Sequence, residues 1–325
     1  MKEIGGYLEF EQLISNEYYK DLLRLNTGRN ALIYLMKARN IKKIYIPYYL
    51  CESVYEILKK YNYEYEFYKI KDDFLPDFSK ELPGDEYLYI VNYYGQINNK
   101  TITKLKEKYK NIILDNTHSF FQEPIENIDT IYNCRKWFGV SDGAYLSTNC
   151  ILTKELEKDF SKDRMKHLLG RYEENASSYY KYFKENDMKF KEEPLKEMSN
   201  LTQNLMGAID YEKIKKTRNV NYEYLHQNLK DINKLKLNEP EVAFCYPLYL
   251  ENIDTESLKK KLAEQKIYIP TLWPNVLEEV SQDSIEYKYV KNILPIPCDQ
   301  RYDEKDMERI VFELKKRVEN ERTFI

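Results

Sequence analysis

The sequence predicts an α/β protein whose sheet is largely parallel, followed by a smaller α+β unit. Three observations predict it. From Arg29 to Asp115 the apolar pattern runs α, β, α, β, β, α, β, the order of a parallel sheet with helices on its faces. Residues 112–114 (Ile-Ile-Leu) are an unbroken apolar run that stops on Asp115, as a strand buried on both faces does. Near residue 236 the polar helical pattern gives way to short Pro-broken strands and two amphipathic helices. The division is therefore 1–235, a large domain with an N-terminal arm, and 236–325, a small α+β domain.

The totals narrow the function classes. A chain of 325 residues buries a large core. Its charged residues make up 32% and nearly cancel, to a net −3, so no electrostatic case exists for nucleic acid or an anionic membrane as partner. Five cysteines are scattered without a CxxC pair, and three histidines are too few for a zinc centre. No metal site is expected. No signal-like apolar core opens the chain and no run of ~18 apolar residues occurs, which reads as a cytoplasmic protein. With 32 tyrosines in the chain, a single Tyr carries little weight.

Taken in order, residues 1–26 read as an arm with a helical segment over 17–25. TGRNALIYLMKARN follows, with Thr27 as helix cap, Gly28 allowing close backbone approach, and apolar residues 31, 32, 35 and 36 at helical spacing. Such a helix N-terminus suits a phosphate, although an ordinary capped helix gives the same pattern. Residues 44–46 form a strand stopped by Pro47, and 50–59 a helix. Tyr48 and Tyr49 lie in the loop between them, where α/β proteins place ligand contacts. Residues 63–70 alternate as a strand, EYLYIVNYYG is a strand ending at Asn92, and ITKLKEKYKN is a helix before the strand to Asp115. GAYLST and CILT read as a hairpin, and 154–235 as helical. EVAFCYPLYL reads as a strand, TESLKKKLAEQ as a helix, IYIPTLWP as a broken strand or loop, and the chain closes on an extended segment and a helix.

The chemistry concentrates between Asn111 and Thr148. Asp115 ends a strand, His118 follows three residues later, and Lys136 sits between Arg135 and Trp137, ahead of Gly139 and Gly143. A strand-end carboxylate, a neighbouring histidine and a lysine in an aromatic loop suit pyridoxal 5′-phosphate (PLP). The lysine carries the cofactor as a Schiff base and the carboxylate pairs with the pyridinium nitrogen. A turn-forming Asp and a solvated Lys are the structural alternatives. His167 and His226, alone on helices, read as surface or satisfied residues.

With these pieces assembled, the chain resembles the DegT/DnrJ/EryC1/StrS family of fold-type I PLP-dependent sugar aminotransferases over nearly its whole length. TGRNAL resembles that family's SGTxAL phosphate-binding turn, LDNTHSF its EDAAQA or EDAAHA segment, and IYNCRKWFGVSDGAYLST its FSFxxxKxxxxGEGGxxxT lysine segment. Leu114 stands where the family has Glu, and Arg29 where it has a small residue. The family's phosphate-binding Ser ahead of the lysine is absent, Asn133 being nearest. The family's Asn that reaches a neighbouring subunit's phosphate is echoed by Asn200 in MSNLTQN.

The resemblance implies a fold-type I PLP-transferase with a mainly parallel seven-stranded sheet and a small C-terminal α+β domain. It assigns Lys136, Asp115 and His118 as catalytic, with Thr27, Gly28, Arg29, Tyr49, Asn133 and Asn200 completing the cofactor site. It implies an aminotransferase that moves an amino group from an amino acid, glutamate, to a keto sugar on a nucleotide carrier in surface-polysaccharide or related biosynthesis. It further implies a homodimer. PLP does not fix the reaction: a decarboxylase, aldolase or transferase acting on a small amino acid would use the same three residues, with Arg301 available to hold a carboxylate. A sensory or scaffold protein on the same fold is the non-enzymatic alternative.

Overall fold

The computed structural model describes residues 4–322. In chain order its strands are β1 (Leu23–Leu25), β2 (Lys43–Pro47), β3 (Glu64–Ile70), β4 (Pro76–Asp77), β5 (Glu86–Val91), β6 (Ile112–Asp115), β7 (Asp129–Asn133), β8 (Ala144–Ser147), β9 (Tyr246–Tyr249) and β10 (Ile293–Ile296). The helices are α1 (Gly28–Ala38), α2 (Glu52–Lys60), α3 (Asn99–Tyr109), α4 (Lys166–Glu173), α5 (Ala176–Glu192), α6 (Asn200–Met206), α7 (Tyr211–Leu229), α8 (Thr255–Glu264), α9 (Val276–Glu279), α10 (Ile285–Asn292) and α11 (Glu304–Arg322).

One mixed sheet organises the large part in the order β1-β8-β7-β6-β5-β2-β3-β4. Strands β3, β2, β5, β6 and β7 run parallel, while β8, β1 and β4 are antiparallel to their neighbours. The sheet has eight strands where seven were expected. The extra one is the two-residue β4: Phe74 turns the chain at φ 65° and Lys71 N–H bonds Leu75 O, so Pro76 folds back against Ile70. Ile112, Ile113 and Leu114 are buried, as their unbroken apolar run requires.

Three local expectations fail, each to tertiary packing. Residues 17–25 are not helical. Leu23–Leu25 pairs with β8, and Tyr19 is drawn into an aromatic cluster with Phe120, Tyr132 and Tyr145. Arg24 then closes on the buried Glu17, which also accepts from the Tyr145 hydroxyl. The expected 143–153 hairpin does not form either. β8 is already paired on both edges, and the following segment is tied instead to α1 through Cys150 Sγ to Ala38 O and Leu152 N–H to the Tyr34 hydroxyl. The strand expected over 241–250 is only β9. The carbonyls of Ala243 and Phe244 are taken by the Arg218 guanidinium and cannot join a ladder.

The second sheet, β9 with β10, carries its own apolar core. That core draws Leu225 and Leu229 from α7 together with Leu248, Leu258, Leu294 and Leu314. A third cluster, of Tyr19, Phe120, Phe121, Trp137, Phe138 and Tyr211, lies around the segment holding Lys136.

Candidate active site

β5, β6 and β7 lie side by side, with Val91 opposite Asp115 and Asp115 opposite Ile131. Asp115 thus sits at the C-terminal edge of the parallel sheet, where α/β proteins bind ligands. Its carboxylate is buried and accepts two hydrogen bonds: Tyr89 Oη donates to Oδ2 at 2.6 Å and Thr117 N donates to Oδ1 at 2.8 Å. Among the described residues no cation lies at ion-pair distance from it. Burial pushes the Asp115 carboxyl above its ordinary range, opposed by Thr117, Tyr89 and the charge of Lys136.

The turn after Asp115 carries His118 into a stack of rings. Its imidazole lies face to face with Phe244, centroids 4.0 Å apart and planes 12° apart, and more loosely on Trp273 at 5.5 Å. The Tyr94 N–H points at Nδ1 from 3.5 Å. Burial, with Lys136 adding to it, depresses His118 to about 3, so the ring is neutral at working pH. Trp273 reaches this place from a loop, its own φ at 53°, and meets Tyr49 edge-on at 4.5 Å. Tyr49 is fully buried, with its hydroxyl on that of Tyr94 at 3.0 Å.

Lys136 ends a single helical turn, 134–136, that leaves β7 directly. Trp137 next to it is buried and fixed on three sides. Its indole N–H donates to Thr117 O at 2.9 Å, Gln300 donates to its carbonyl at 2.8 Å, and the Arg218 guanidinium stacks on its ring at 4.3 Å. The Lys136 loop is thereby tied to the Asp115–His118 turn. The Lys136 side chain itself is exposed, and its ammonium has no hydrogen bond or ion pair among the described residues.

Beyond the lysine, Thr27 caps α1 by accepting from Asn30 N at 3.1 Å, which leaves the Gly28 and Arg29 N–H groups at the helix start. Gly28 runs close to the end of β7: a Cβ there would lie 3.4 Å from Asn133 Nδ2. Asn133 in turn accepts from Arg135 N at 3.1 Å. The start of α1, Thr27-Gly28-Arg29, therefore adjoins Asn133, three residues ahead of Lys136, while His118, the residue three beyond Asp115, and Tyr49 meet on the Trp273 ring. Asn200 is not gathered; it is the exposed first residue of α6, whose start is held by Ser199 on the buried Asp142.

Two cavities meet at Lys136. One, of about 320 Å³, is lined by Lys266, Arg301 and Arg309 of the C-terminal part. The other, of about 770 Å³, is lined by Trp137, Phe138, Tyr172, Tyr180 and Phe183. They share Lys136, Arg171, Arg218, Asp299 and Arg301. Arg301 is held bidentate by Asp299 at 2.6 and 2.7 Å.

Sequence reasoning passed over Phe244, Trp273 and Arg218. Arg218 lies in a run of charges, IKKTRN, that reads as a solvated face, and is in fact 2% exposed. The available signal was rarity: the chain has two tryptophans, 137 and 273, and both are at this site.

No family model matches the chain, and no curated protein does. Solved structures do. NtdA from Bacillus subtilis, with bound cofactor PMP, is 11% identical over 91% of this chain and 72% of its own, with a TM-score of 0.64. PseC of Helicobacter pylori, an aminotransferase involved in the biosynthesis of pseudoaminic acid, is 16% identical over 91% and 86%, at 0.60. A DegT DnrJ EryC1 StrS aminotransferase from Brucella abortus is 14% identical over 91% and 85%, at 0.56. The chain therefore has the fold of the fold-type I PLP aminotransferases and, within it, that of the DegT/DnrJ/EryC1/StrS structures.

Proposed function

We propose that the chain is a PLP-dependent aminotransferase that passes an amino group from an amino acid, glutamate, to a keto sugar on a nucleotide carrier, in surface-polysaccharide or related biosynthesis. The observation that carries this reading is a Lys136 ammonium without a partner among the described residues, set where two cavities meet, together with a buried carboxylate, Asp115, that among the same residues has no cation at ion-pair distance. That pair fits the cofactor. A pyridinium N–H supplies the counter-charge that Asp115 lacks, and the counter-charge removes the cost of ionising a dry carboxylate.

When bound, PLP supplies an electron-accepting ring conjugated to the substrate's amino carbon. The residues do the rest. Asp115 keeps the ring nitrogen protonated. Lys136 would hold the cofactor, and its Nζ is the group that would take the proton from the amino donor's α-carbon as general base and return it as general acid. His118, neutral, packs beside the ring and excludes water. Tyr49 contributes to the aromatic wall of the ring pocket. The N–H groups of Gly28 and Arg29, with Thr27 shaping the turn and Asn133 alongside, receive the phosphate.

The two chambers at Lys136 support a substrate with distinct parts, since to the cations they share one adds Lys266 and Arg309 and the other adds aromatic side chains, and both fall in the size range of ligand pockets. Arg301, needed as carboxylate anchor by the small-amino-acid alternative, is already engaged by Asp299. The reading includes a homodimer. Leu169, Tyr172, Tyr180, Phe183 and Met188 leave an apolar face exposed on the α4–α5 hairpin, and Asn200 stands exposed nearby in sequence, free to serve a partner subunit's phosphate. The two-domain division at residue 236 and a cytoplasmic location belong to the same reading. The five free cysteines support the location, and no helix among the described residues is long and apolar enough to cross a membrane.

The test is the absorbance spectrum of the purified protein with PLP, before and after glutamate. A visible band that shifts to the pyridoxamine form supports transamination. A band that glutamate leaves alone retains PLP and overturns the donor or the reaction. No band in the wild type overturns the cofactor reading and favours a scaffold. In Lys136→Ala the band should vanish while the protein remains folded, with activity lower by about 10⁴-fold or more, the upper range for a lost acid–base group. A persisting band would show that another lysine holds the cofactor.

A further inference from the structure

In this chain the resemblance finds no serine hydroxyl ahead of the lysine, and the structure puts a guanidinium in the neighbourhood instead. Arg135 begins one residue beyond Cys134 and two beyond Asn133, the residue that abuts Gly28 at the start of α1. Its guanidinium bonds Asp187 of α5 at 3.0 Å and lies on the Phe190 ring at 4.5 Å. Arg164 lies on the same ring, at 4.8 Å. The two arginines are held differently. Arg164 is locked by a fully buried Asp159 at 2.7 Å and reaches Glu193 as well. Among the described residues Arg135 pairs with Asp187 alone, whose side chain is 50% exposed.

The local charges do not balance. Burial pulls the Asp187 carboxyl up, yet Arg135 first, then Arg29 and Lys136, hold it below its ordinary range. One half-solvated carboxylate thus faces three cations, one of which, Arg29, stands in the first turn of the 11-residue α1. An ion pair with an exposed partner is worth little, whereas a guanidinium and a phosphate form paired, charge-assisted hydrogen bonds.

On the cofactor reading above, we propose that Arg135 is the side-chain anchor of the cofactor's phosphate, and that Asp187 is the competing carboxylate that holds the guanidinium until the phosphate arrives. The exchange breaks one Arg135–Asp187 ion pair, forms one Arg135–phosphate pair and returns Asp187 to water; no covalent bond changes. Asp187 is thus an inhibitor of cofactor binding built into α5.

The test compares PLP with pyridoxal, which lacks the phosphate, by titrating the fluorescence of Trp137 and Trp273 in the wild type, Arg135→Gln and Asp187→Asn. Arg135→Gln should weaken PLP about tenfold or more, the size of one charged hydrogen-bond pair, and leave pyridoxal unchanged. Asp187→Asn should tighten PLP severalfold, again without effect on pyridoxal. Weaker PLP binding in Asp187→Asn would show that the carboxylate merely orients Arg135, and would overturn the proposal. So would equal losses for both ligands in Arg135→Gln, or a preference for PLP over pyridoxal that survives undiminished in that variant. If the wild type binds neither ligand, the cofactor reading falls and takes this one with it. If it binds both equally well, only this proposal falls. Asp187 is half-exposed, so its variant remains informative even if Arg135→Gln does not fold.

Discussion

At Asp115 and His118 the charge state is controlled by excluding water; at Arg135 and Asp187, on the other side of Lys136, it is controlled by pairing ions. The first region is roofed by Phe244 and Trp273 and contains no ion pair among the described residues. Asp115 and His118 are both pushed toward their neutral forms by burial. The second is half-open and has more cations than carboxylates. The difference suits a ligand with a flat, weakly polar ring at one end and a dianion at the other. Desolvation tunes a ring's protonation, since the local dielectric there magnifies one good contact. A dianion must enter from water and exchange, which exposed ion pairs permit at low cost.

The strongest way to break this contrast is Asp115→Asn. If the dry end exists to ionise a ring, the variant should bind PLP yet lose activity by about 10²–10⁴-fold, the range for a lost acid–base or charge-tuning group. The apo protein should respond in the opposite direction. Because the folded pKa of Asp115 is raised, its favourable contribution is complete below the unfolded value near 3.8 and is lost as pH rises through the folded value. Removing that charge should raise the apo melting temperature at pH 7, by roughly 1–2 °C for ~1 kcal/mol in a chain of 325 residues. Near-wild-type turnover would end the pyridinium role, and a lower apo melting temperature would mean that the carboxylate is not paying for its burial.

The dry end was legible in sequence to an uneven degree. Asp115, His118 and Lys136 lie within 22 residues, and a buried strand that stops on a carboxylate announces its edge locally. The roof was not legible. Phe244 and Trp273 come more than 100 residues later, in stretches that read as a strand and a broken loop. Their arrival depends on Arg218 capturing the carbonyls of Ala243 and Phe244, and on Trp273 accepting a positive φ. The charged end hid for a different reason: Asp187 sits in an ordinary polar helix, and only the fold brings α5 over Arg135. The sheet order from α1 to β6 follows the sequence pattern closely because each βα unit is local. β1 and β4 do not, since the first is defined by a partner about 120 residues away and the second by a turn.

A smaller effect sharpens the claim that water is excluded around His118. Its folded value of about 3 lies below the ordinary 6.5, so its contribution to stability is complete above pH 6.5 and is lost as pH falls toward 3. Protonating the group on unfolding costs the native state at most about 1.4 kcal/mol per pH unit across that window. In melts at pH 7, 6, 5 and 4, His118→Gln should show a flatter decline than the wild type. Parallel curves would place the imidazole in contact with water and remove the roof from the argument.

The smallest effect separates two ways of controlling Asp115. Burial first, reinforced by the charge of Asp115, holds the Tyr89 phenol well above its ordinary range, so Tyr89 stays a donor at every working pH. Its 2.6 Å bond favours the ionised carboxylate, as does the Thr117 N–H. Tyr89→Phe removes one of these donors and leaves the ring in place to fill the volume. The carboxyl should then rise further, and the dissociation constant for PLP should increase about fivefold, the worth of one hydrogen bond near 1 kcal/mol. A change confined to PLP, absent when the same variant is placed in an Asp115→Asn background, would show that the phenol acts through the carboxylate. An unchanged constant would mean that desolvation and Thr117 suffice, and that the ring end is governed by the absence of water rather than by the hydrogen bonds lining it.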